Sequence, residues 1–455
     1  MRKRPFSAAD KFGYLFGDFG NDFTFILSTT ILMKFYTDVM GVSAAVVGTV
    51  MMLSRFVDAF TDVAMGRICD RSAVTAAGKF RPWLLRMCGP VAVASFLMYQ
   101  SSLAHMGMGF KIAYLFITYI LWGSVFYTAV NIPYGSMASA ISADPGHRQS
   151  LSTYRTMGGT LAGVVIGVVV PLLAYEKIEG LETLSGRRVT VIAGVFSLLA
   201  VVCYLLCYAM TTERTHTQQP AQQQSTGQML KSALKNRSLI SVIAASIVML
   251  LAQLTMQGMA GYVYPQYYNS AAAQSISTVL MMVAMGIAAA CAKPLAQRFG
   301  KAELAVAANF FAVAVCLLTW LLRPQNVWVF TLLQSLNWLG LGMFSMVSWA
   351  LITDVIDDAE LKNGVREDGS VYALYSFARK LGQAAAAGLS GALLSMIGYS
   401  EATKNDPAVL EGIFDIATLV PAIGFAALAL ILWLWYPLHK KQVEANVKML
   451  AERRK

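Results

Sequence analysis

Leu53–Arg71 reads LSRFVDAFTDVAMGRICDR, beginning inside an apolar run and ending at a basic turn. Arg55, Asp58 and Asp62 fall at i, i+3 and i+7, so one helix face carries all three charges. The surroundings are apolar from Val46 to Leu53 and again at Val63, Ala64 and Met65, and the spacing predicts a membrane helix. One charge at bilayer depth costs about 2.5 kcal/mol or more. A chain that places three there should be using them. Two carboxylates a helical turn apart, unscreened by bulk water, are eased by a shared proton, by Arg55, or by a small cation with oxygen ligands. The pattern implies a cation site coupled to transport.

The rest of the chain extends this apolar setting. Of 455 residues, 56% are hydrophobic and 13% charged, with a mean hydropathy of +0.55. Soluble domains carry about 25% charged residues. At roughly 20 residues per span, the apolar runs predict about twelve helices and leave no length for a folded soluble domain. The basic, polar residues 1–11 lack a short apolar core with a cleavage site, so no removable signal peptide is expected.

A net charge of +11 invites a nucleic-acid reading, but its placement argues against one. Basic residues gather in the N-terminal tail (Arg2, Lys3, Arg4, Lys11) and after the second span (Arg67, Arg71, Lys79, Arg81, Arg86). Others lie in the central loop (Arg214, Lys231, Lys235, Arg237), after the eighth span (Arg298, Lys301) and in the C-terminal tail. Alternate loops are poorer, with Lys111, Arg323 and Lys404 nearly alone, although Lys177, Arg187 and Arg188 blur the fifth-to-sixth connection. This is the positive-inside pattern with both termini cytoplasmic, which requires an even number of spans. A multi-pass protein of the cell (inner) membrane is expected, surrounded by lipid, with no nucleic acid and no obligate protein partner. Cys69, Cys88, Cys203, Cys207, Cys291 and Cys316 show no metal-ligand spacing and read as small buried hydrophobes.

In chain order, the first span, residues 12–35, opens with Gly13, Gly17, Asp18, Gly20, Asn21 and Asp22. Asp18 lies toward the cytoplasmic end and reads as solvated or capping, whereas Asp22 is deeper and reads as functional. The fourth span, residues 112–137, contains TYILWGSVFYTAVNIPYGSMASA, where Pro133 predicts a kink and Thr128, Asn131, Tyr134 and Gly135 form a polar stripe that reads as a cavity wall, or else as helix–helix contact. Arg155 enters the fifth span as a cation that needs a carboxylate or a ligand, unless it snorkels to the interface. The chain divides into bundles 1–210 and 238–436, a polar cytoplasmic linker 211–237 and a basic tail 437–455 read as a solvated helix on the membrane surface. Six spans on either side of the linker suit two pseudo-symmetric bundles with a binding site at mid-membrane. In the second half, Asp354, Asp357, Asp358 and Glu360 read by default as a solvated helix end, or as part of a gate with the basic loops. Lys380 lies among Tyr372, Tyr375, Phe377 and Gln383.

Five stretches in the same order carry a family resemblance: KFYTDVMG, RFVDAFTDVAMG with GKFRPW, NIPYGS, and WALITDVIDDAE followed by NGVREDGSVYALYSFARK. Together they resemble the glycoside–pentoside–hexuronide:cation symporters of the major facilitator superfamily, over about residues 11–436. The resemblance implies an all-α integral membrane protein of twelve transmembrane helices in two six-helix bundles. It implies a transporter, not an enzyme, that moves a small sugar with Na+ or H+ and needs no further cofactor.

Carried over by position, Asp58 and Asp62 match the paired cation-site aspartates, Thr128 a cation-site hydroxyl, and Thr61 stands at a further cation position. Asp22 and Arg155 match the carboxylate and guanidinium that hold sugar hydroxyls, with Asn21, Asn131, Tyr134, Tyr375 and Lys380 beside them. Arg148, Arg298, Asp354, Asp357 and Arg366 fall at the cytoplasmic gate. Asn131 stands where melibiose-type members have an aspartate, Gly135 where they have a tryptophan, and Thr61 where they have an asparagine. The first two departures argue against melibiose itself, and NIPYGS is closer to the glucuronide-type branch; the third leaves Na+ against H+ open. With one carboxylate fewer, Arg155 and Lys380 face Asp22, and a hexuronide or a related glycoside is expected over melibiose. The rival readings are a lysolipid carrier of related fold, which needs a continuous apolar path, and a membrane enzyme acting on lipid-linked sugars, which needs a surface carboxylate pair and a sizeable soluble loop.

Overall fold

Ser7 starts the first helix with a capping box, its N–H donating to the Asp10 carboxylate at 3.0 Å. From there the computed structural model describes residues 4–215, 236–363 and 368–453. The helix α1 (Ala8–Leu27) passes through a π-turn at Ser28–Leu32 into α2 (Met33–Asp38). Then come α3 (Ala44–Arg71), α4 (Arg81–Leu97), and α5 (Met108–Ile120), which runs through a second π-turn, Leu121–Tyr127, into α6 (Thr128–Ile141). Two further helices, α7 (Pro145–Ala174) and α8 (Gly186–Met210), complete six spans. Asp144 caps α7, and the His147 N–H it accepts at 2.9 Å holds its carboxyl below the usual range.

The second set comprises α9 (Arg237–Tyr262), α10 (Ala271–Phe299), α11 (Lys301–Leu322), α12 (Val327–Asn363), α13 (Asp368–Met396) and α14 (Pro407–Leu430). A tail helix, α15 (Lys440–Arg453), follows. Two compact units result. One contains the described residues of the first half together with Gly391–Asp406; the other contains the rest of the second half.

Among the described residues, nine helices are long and apolar enough to cross a membrane by themselves. The remaining three expected spans are α1, α4 and α13. The first is loaded with Asp10, Lys11, Asp18 and Asp22, the second has 17 residues, and the third carries Arg379, Lys380 and Gln383. Outward faces are apolar, as Phe60, Leu198, Leu321 and Ile423 show, which suits lipid as the solvent.

Several expectations change in detail. The chain stays helical through Pro133, and the departure from α-helical hydrogen bonding lies upstream, at Leu121–Tyr127. The fifth-to-sixth connection is a hairpin of β1 (Tyr175–Ile178) and β2 (Leu181–Leu184), turned by Glu179 and Gly180, both at positive φ. Its Arg188 pairs with Glu176 at 3.5 Å, so part of the basic charge that blurred the pattern is balanced locally.

The stretch expected to begin the linker is fixed as far as Thr215. Buried Glu213 accepts the N–H groups of Lys79, Phe80 and Arg81 at 2.7–2.8 Å, capping the exposed donors at the start of α4. Gly78 sits there at φ 116°, and any Cβ would strike that carboxylate, which explains the glycine in GKFRPW. Arg214 reaches Asp10 at 2.9 Å and the Ile141 carbonyl at 3.2 Å, tying the ends of α8, α1 and α6 together. The rest of the expected linker up to residue 235 lies outside the described residues. The tail helix is docked rather than solvated on all sides: Leu450 is buried, and Asn446 donates to Asp358 at 3.3 Å.

Candidate functional site

The opening stretch of sequence forms α3, and its carboxylates meet hydroxyls on the neighbouring span. Ser124 Oγ donates to Asp58 Oδ1 at 2.5 Å, and Thr128 Oγ1 donates to Asp62 Oδ1 at 3.0 Å. Both rungs join residues 66 apart, so the aspartates repeat every four residues on one helix and the hydroxyls every four on the other. The π-turn at Leu121–Tyr127 carries Ser124, and such turns often mark functional sites. Arg55 pairs with Asp58 Oδ2 at 3.2 Å, with both side chains largely buried at 16% and 14% exposure. Its guanidinium also lies 4.9 Å over the Phe25 ring of α1. The Thr61 hydroxyl donates back to the carbonyls of Val57 and Asp58, leaving its oxygen lone pairs as acceptors. Two carboxylates with the Ser124 and Thr128 hydroxyls are hard oxygen ligands, the set that a proton or an alkali cation would use. Ser124 was not foreseen, although its place one turn before Thr128 was the available signal.

A second cluster joins α1 to α7. Arg155 Nε pairs with Asp18 Oδ1 at 3.0 Å, with side-chain exposures of 39% and 14%. Asp18 is therefore neither solvated nor a cap. It is the carboxylate that Arg155 requires, one turn from the expected Asp22. Both aspartates share a space over Gly159: a Cβ at that position would lie 2.5 Å from Asp22 Oδ2 and 2.9 Å from Asp18 Oδ2. The guanidinium rests 5.2 Å over the Tyr134 ring, with Nη1 facing the space beside Gly135.

The other expected ligands have structural engagements. Tyr134 is fully buried, and its hydroxyl donates to the Tyr14 carbonyl at 2.6 Å while Tyr14 returns the bond at 3.2 Å. It supports Arg155 through its ring and offers no free hydroxyl donor. Asn21 accepts from Tyr204 at 2.8 Å and donates to Asn131 Oδ1 at 3.4 Å, so its amide ties α1, α6 and α8. In the second unit, Tyr375 is fully buried and accepts from Ser246 at 2.9 Å, which makes it core rather than cavity lining. Lys380 is exposed on α13.

Of the expected gate residues, Arg148 is exposed and donates to the Ala143 carbonyl at 2.6 Å. Arg298 is also exposed, with its guanidinium 5.3 Å over the Phe299 ring. Asp354 pairs with Lys301 at 2.6 Å, and buried Asp358 accepts from Ser238 at 3.1 Å. The solvated reading of these two acids therefore gives way to engagement within their own unit. Asp357 is half-buried, and Arg366 lies outside the described residues.

The profile of the MFS/sugar transport protein family matches residues 13–440. An isoprimeverose transporter of Lactiplantibacillus pentosus is 32% identical, over 98% of this chain and 91% of that protein. A glucuronide carrier protein homolog of Escherichia coli is 30% identical, over 97% and 95%. Among solved structures, the nucleoside transporter NupG superposes with a TM-score of 0.65 at 15% identity, covering 92% of this chain and 98% of that one. A D-xylose-proton symporter gives 0.64 at 13%, covering 94% and 97%. The last two share the fold alone. With the charged second span, the GKFRPW loop and NIPYGS in their expected order, the chain belongs to the major facilitator sugar-transport family, in its glycoside–pentoside–hexuronide branch.

Proposed function

We propose that the protein is a secondary active transporter that imports a sugar (a glycoside, pentoside or hexuronide) by symport with Na+ or H+ through alternating access. The observation that carries this reading is the double rung between α3 and the fourth span, where Asp58 meets Ser124 and Asp62 meets Thr128. A cation entering there neutralises carboxylate charge that is costly at membrane depth. The hydroxyl oxygens of Ser124, Thr128 and Thr61 offer it further ligands. Asp22 accepts hydroxyls of the sugar and Arg155 donates to others, the grip that a polyol needs in a poorly hydrated site. The names of the isoprimeverose transporter and the glucuronide carrier homolog support a glycoside-like cargo. The reading includes no enzymatic activity, no cofactor beyond the coupling ion and no protein partner. It places the chain in the cell (inner) membrane with both termini cytoplasmic, on the support of the basic-residue pattern.

Uptake of radiolabelled glycosides into proteoliposomes, under an imposed Na+ or H+ gradient, tests the proposal. Wild type is expected to accumulate a glycoside against its gradient. Asp58→Cys and Asp62→Cys should each abolish accumulation while reaching the membrane normally. Full accumulation in both variants would remove the rungs from the coupling mechanism.

A further inference from the structure

We infer that Asp18 is the resting counter-ion of Arg155 and that it tunes the sugar site toward uncharged glycosides over hexuronates. The inference rests on the sugar-symport reading and narrows its cargo. Arg155 presents its Nε edge to Asp18 at 3.0 Å and its face to the Tyr134 ring at 5.2 Å. What remains for a ligand is the Nη edge, which the Tyr14 hydroxyl also neighbours and which is directed to the space beside Gly135. Asp22 reaches the same spot over Gly159 as Asp18 does. The cluster thus holds two carboxylates against one guanidinium.

Across the two clusters of the first unit the imbalance is the same. Asp18, Asp22, Asp58 and Asp62 stand against Arg55 and Arg155, and Arg55 is already given to Asp58. A coupling cation offsets one excess negative charge. A substrate carboxylate would restore it.

An arriving hexuronate has two routes to Arg155, both unfavourable. It can displace Asp18, which leaves a largely buried carboxylate without its partner. Alternatively it can approach a guanidinium that is already neutralised while Asp22 repels it. The hydroxyls of a neutral sugar meet neither obstacle. They accept from the Nη edge and donate to Asp22. Counting charges along the sequence set Arg155 and Lys380 against Asp22 and favoured a hexuronide or a related glycoside. The Asp18 pair reverses that preference. Discrimination here comes from a repulsive element built into the site, not from a better contact to the preferred cargo.

The test compares methyl β-D-glucoside with methyl β-D-glucuronide, using full-length protein in proteoliposomes. Wild type should take up the glucoside with the lower KM. Asp18→Asn should lower the KM ratio of glucuronide to glucoside by about tenfold, while Asp18→Glu keeps the wild-type ratio. A ratio is insensitive to expression and to general loss of packing, so a merely structural role would not move it. Should Asp18→Asn fail to fold, the wild-type preference decides alone. Preference of wild type for the glucuronide, or an unchanged ratio in Asp18→Asn, overturns the inference and leaves sugar symport standing. Uptake and binding of neither probe would also overturn the inference, while sugar symport would stand or fall on the wider glycoside uptake under an imposed gradient.

Discussion

Ser124 gives the proposed coupling site a single atom on which the two candidate ions make opposite demands. Its hydroxyl donates to Asp58 Oδ1, while Asp58 Oδ2 is held by Arg55. A donated hydrogen bond stabilises a carboxylate over its protonated acid. Removing the donor in Ser124→Ala should therefore help a proton to bind. For Na+ the same change deletes an oxygen ligand and should hinder binding. Hydrogen bonds to charged groups contribute about 1.5–3 kcal/mol, so a shift of roughly tenfold or more in cation half-saturation is expected. Its sign identifies the ion. Half-saturation at a lower concentration points to H+, and at a higher one to Na+. An unmoved value would show that Ser124 plays no part in coupling. The aspartates themselves were legible because four-residue spacing in an apolar run is a sequence property. Ser124 and Asp18 were harder to assign, because a serine or a helix-end aspartate has a bland reading until a partner from another helix appears beside it.

At the scale of elements, the proposed sugar cluster depends on how closely α1 and α7 approach. Gly158 permits it, since a Cβ there would run into the Leu15 and Phe19 backbone of α1, and Gly159 beside it leaves room for the Asp22 and Asp18 carboxylates. Gly163, one turn along α7, would meet only Ile26 Cδ1 at an ordinary 3.5 Å. Gly159→Ala should therefore raise the sugar KM by about tenfold, near 1.4 kcal/mol, and leave cation half-saturation unchanged. Gly163→Ala should leave both unchanged, and similar losses in the two variants would mean that helix packing, not the carboxylates, responds. Small residues where membrane helices meet are legible as a type, but which of them faces a functional group is not. The same limit applies to whole elements. The π-turn at Leu121–Tyr127 and the Tyr175–Leu184 hairpin leave weak sequence signals: the first replaces one helical hydrogen-bonding pattern with another, and the second turns on Glu-Gly rather than Asn-Gly. Long apolar runs, in contrast, announced most spans by composition alone. Apart from the short α4, the exceptions are α1 and α13, where the expected site residues dilute the hydropathy.

At the scale of the whole molecule, the first unit is not a contiguous length of chain, because Gly391–Asp406 joins it from far along the sequence. The seam is polar and almost fully buried. Lys34 pairs with Asp38 at 3.1 Å, with side-chain exposures of 2% and 1%. Tyr399 donates to Asp38 Oδ1 at 2.8 Å and accepts from Lys34 at 3.2 Å, while Thr37 adds a bond to Asp38 at 2.9 Å. Nearby, Ser395 Oγ accepts the Ala45 N–H at 2.8 Å. KFYTDVMG was legible as a motif, but its buried pair was not, since the residue that closes it lies 365 positions away. A buried pair of this kind ties distant segments together without necessarily adding stability. Removing one partner typically costs about 3–5 kcal/mol, whereas replacing both by apolar groups is often near neutral. Asp38→Leu should be the most damaging change, because it takes the carboxylate partner from the buried Lys34 ammonium. Lys34→Met should cost less, because Tyr399 and Thr37 still donate to Asp38. The double variant should recover much of the loss in thermal unfolding midpoint measured in detergent. A double variant whose loss equals the sum of the singles would show that the two charges stabilise the seam independently and do not act as a pair.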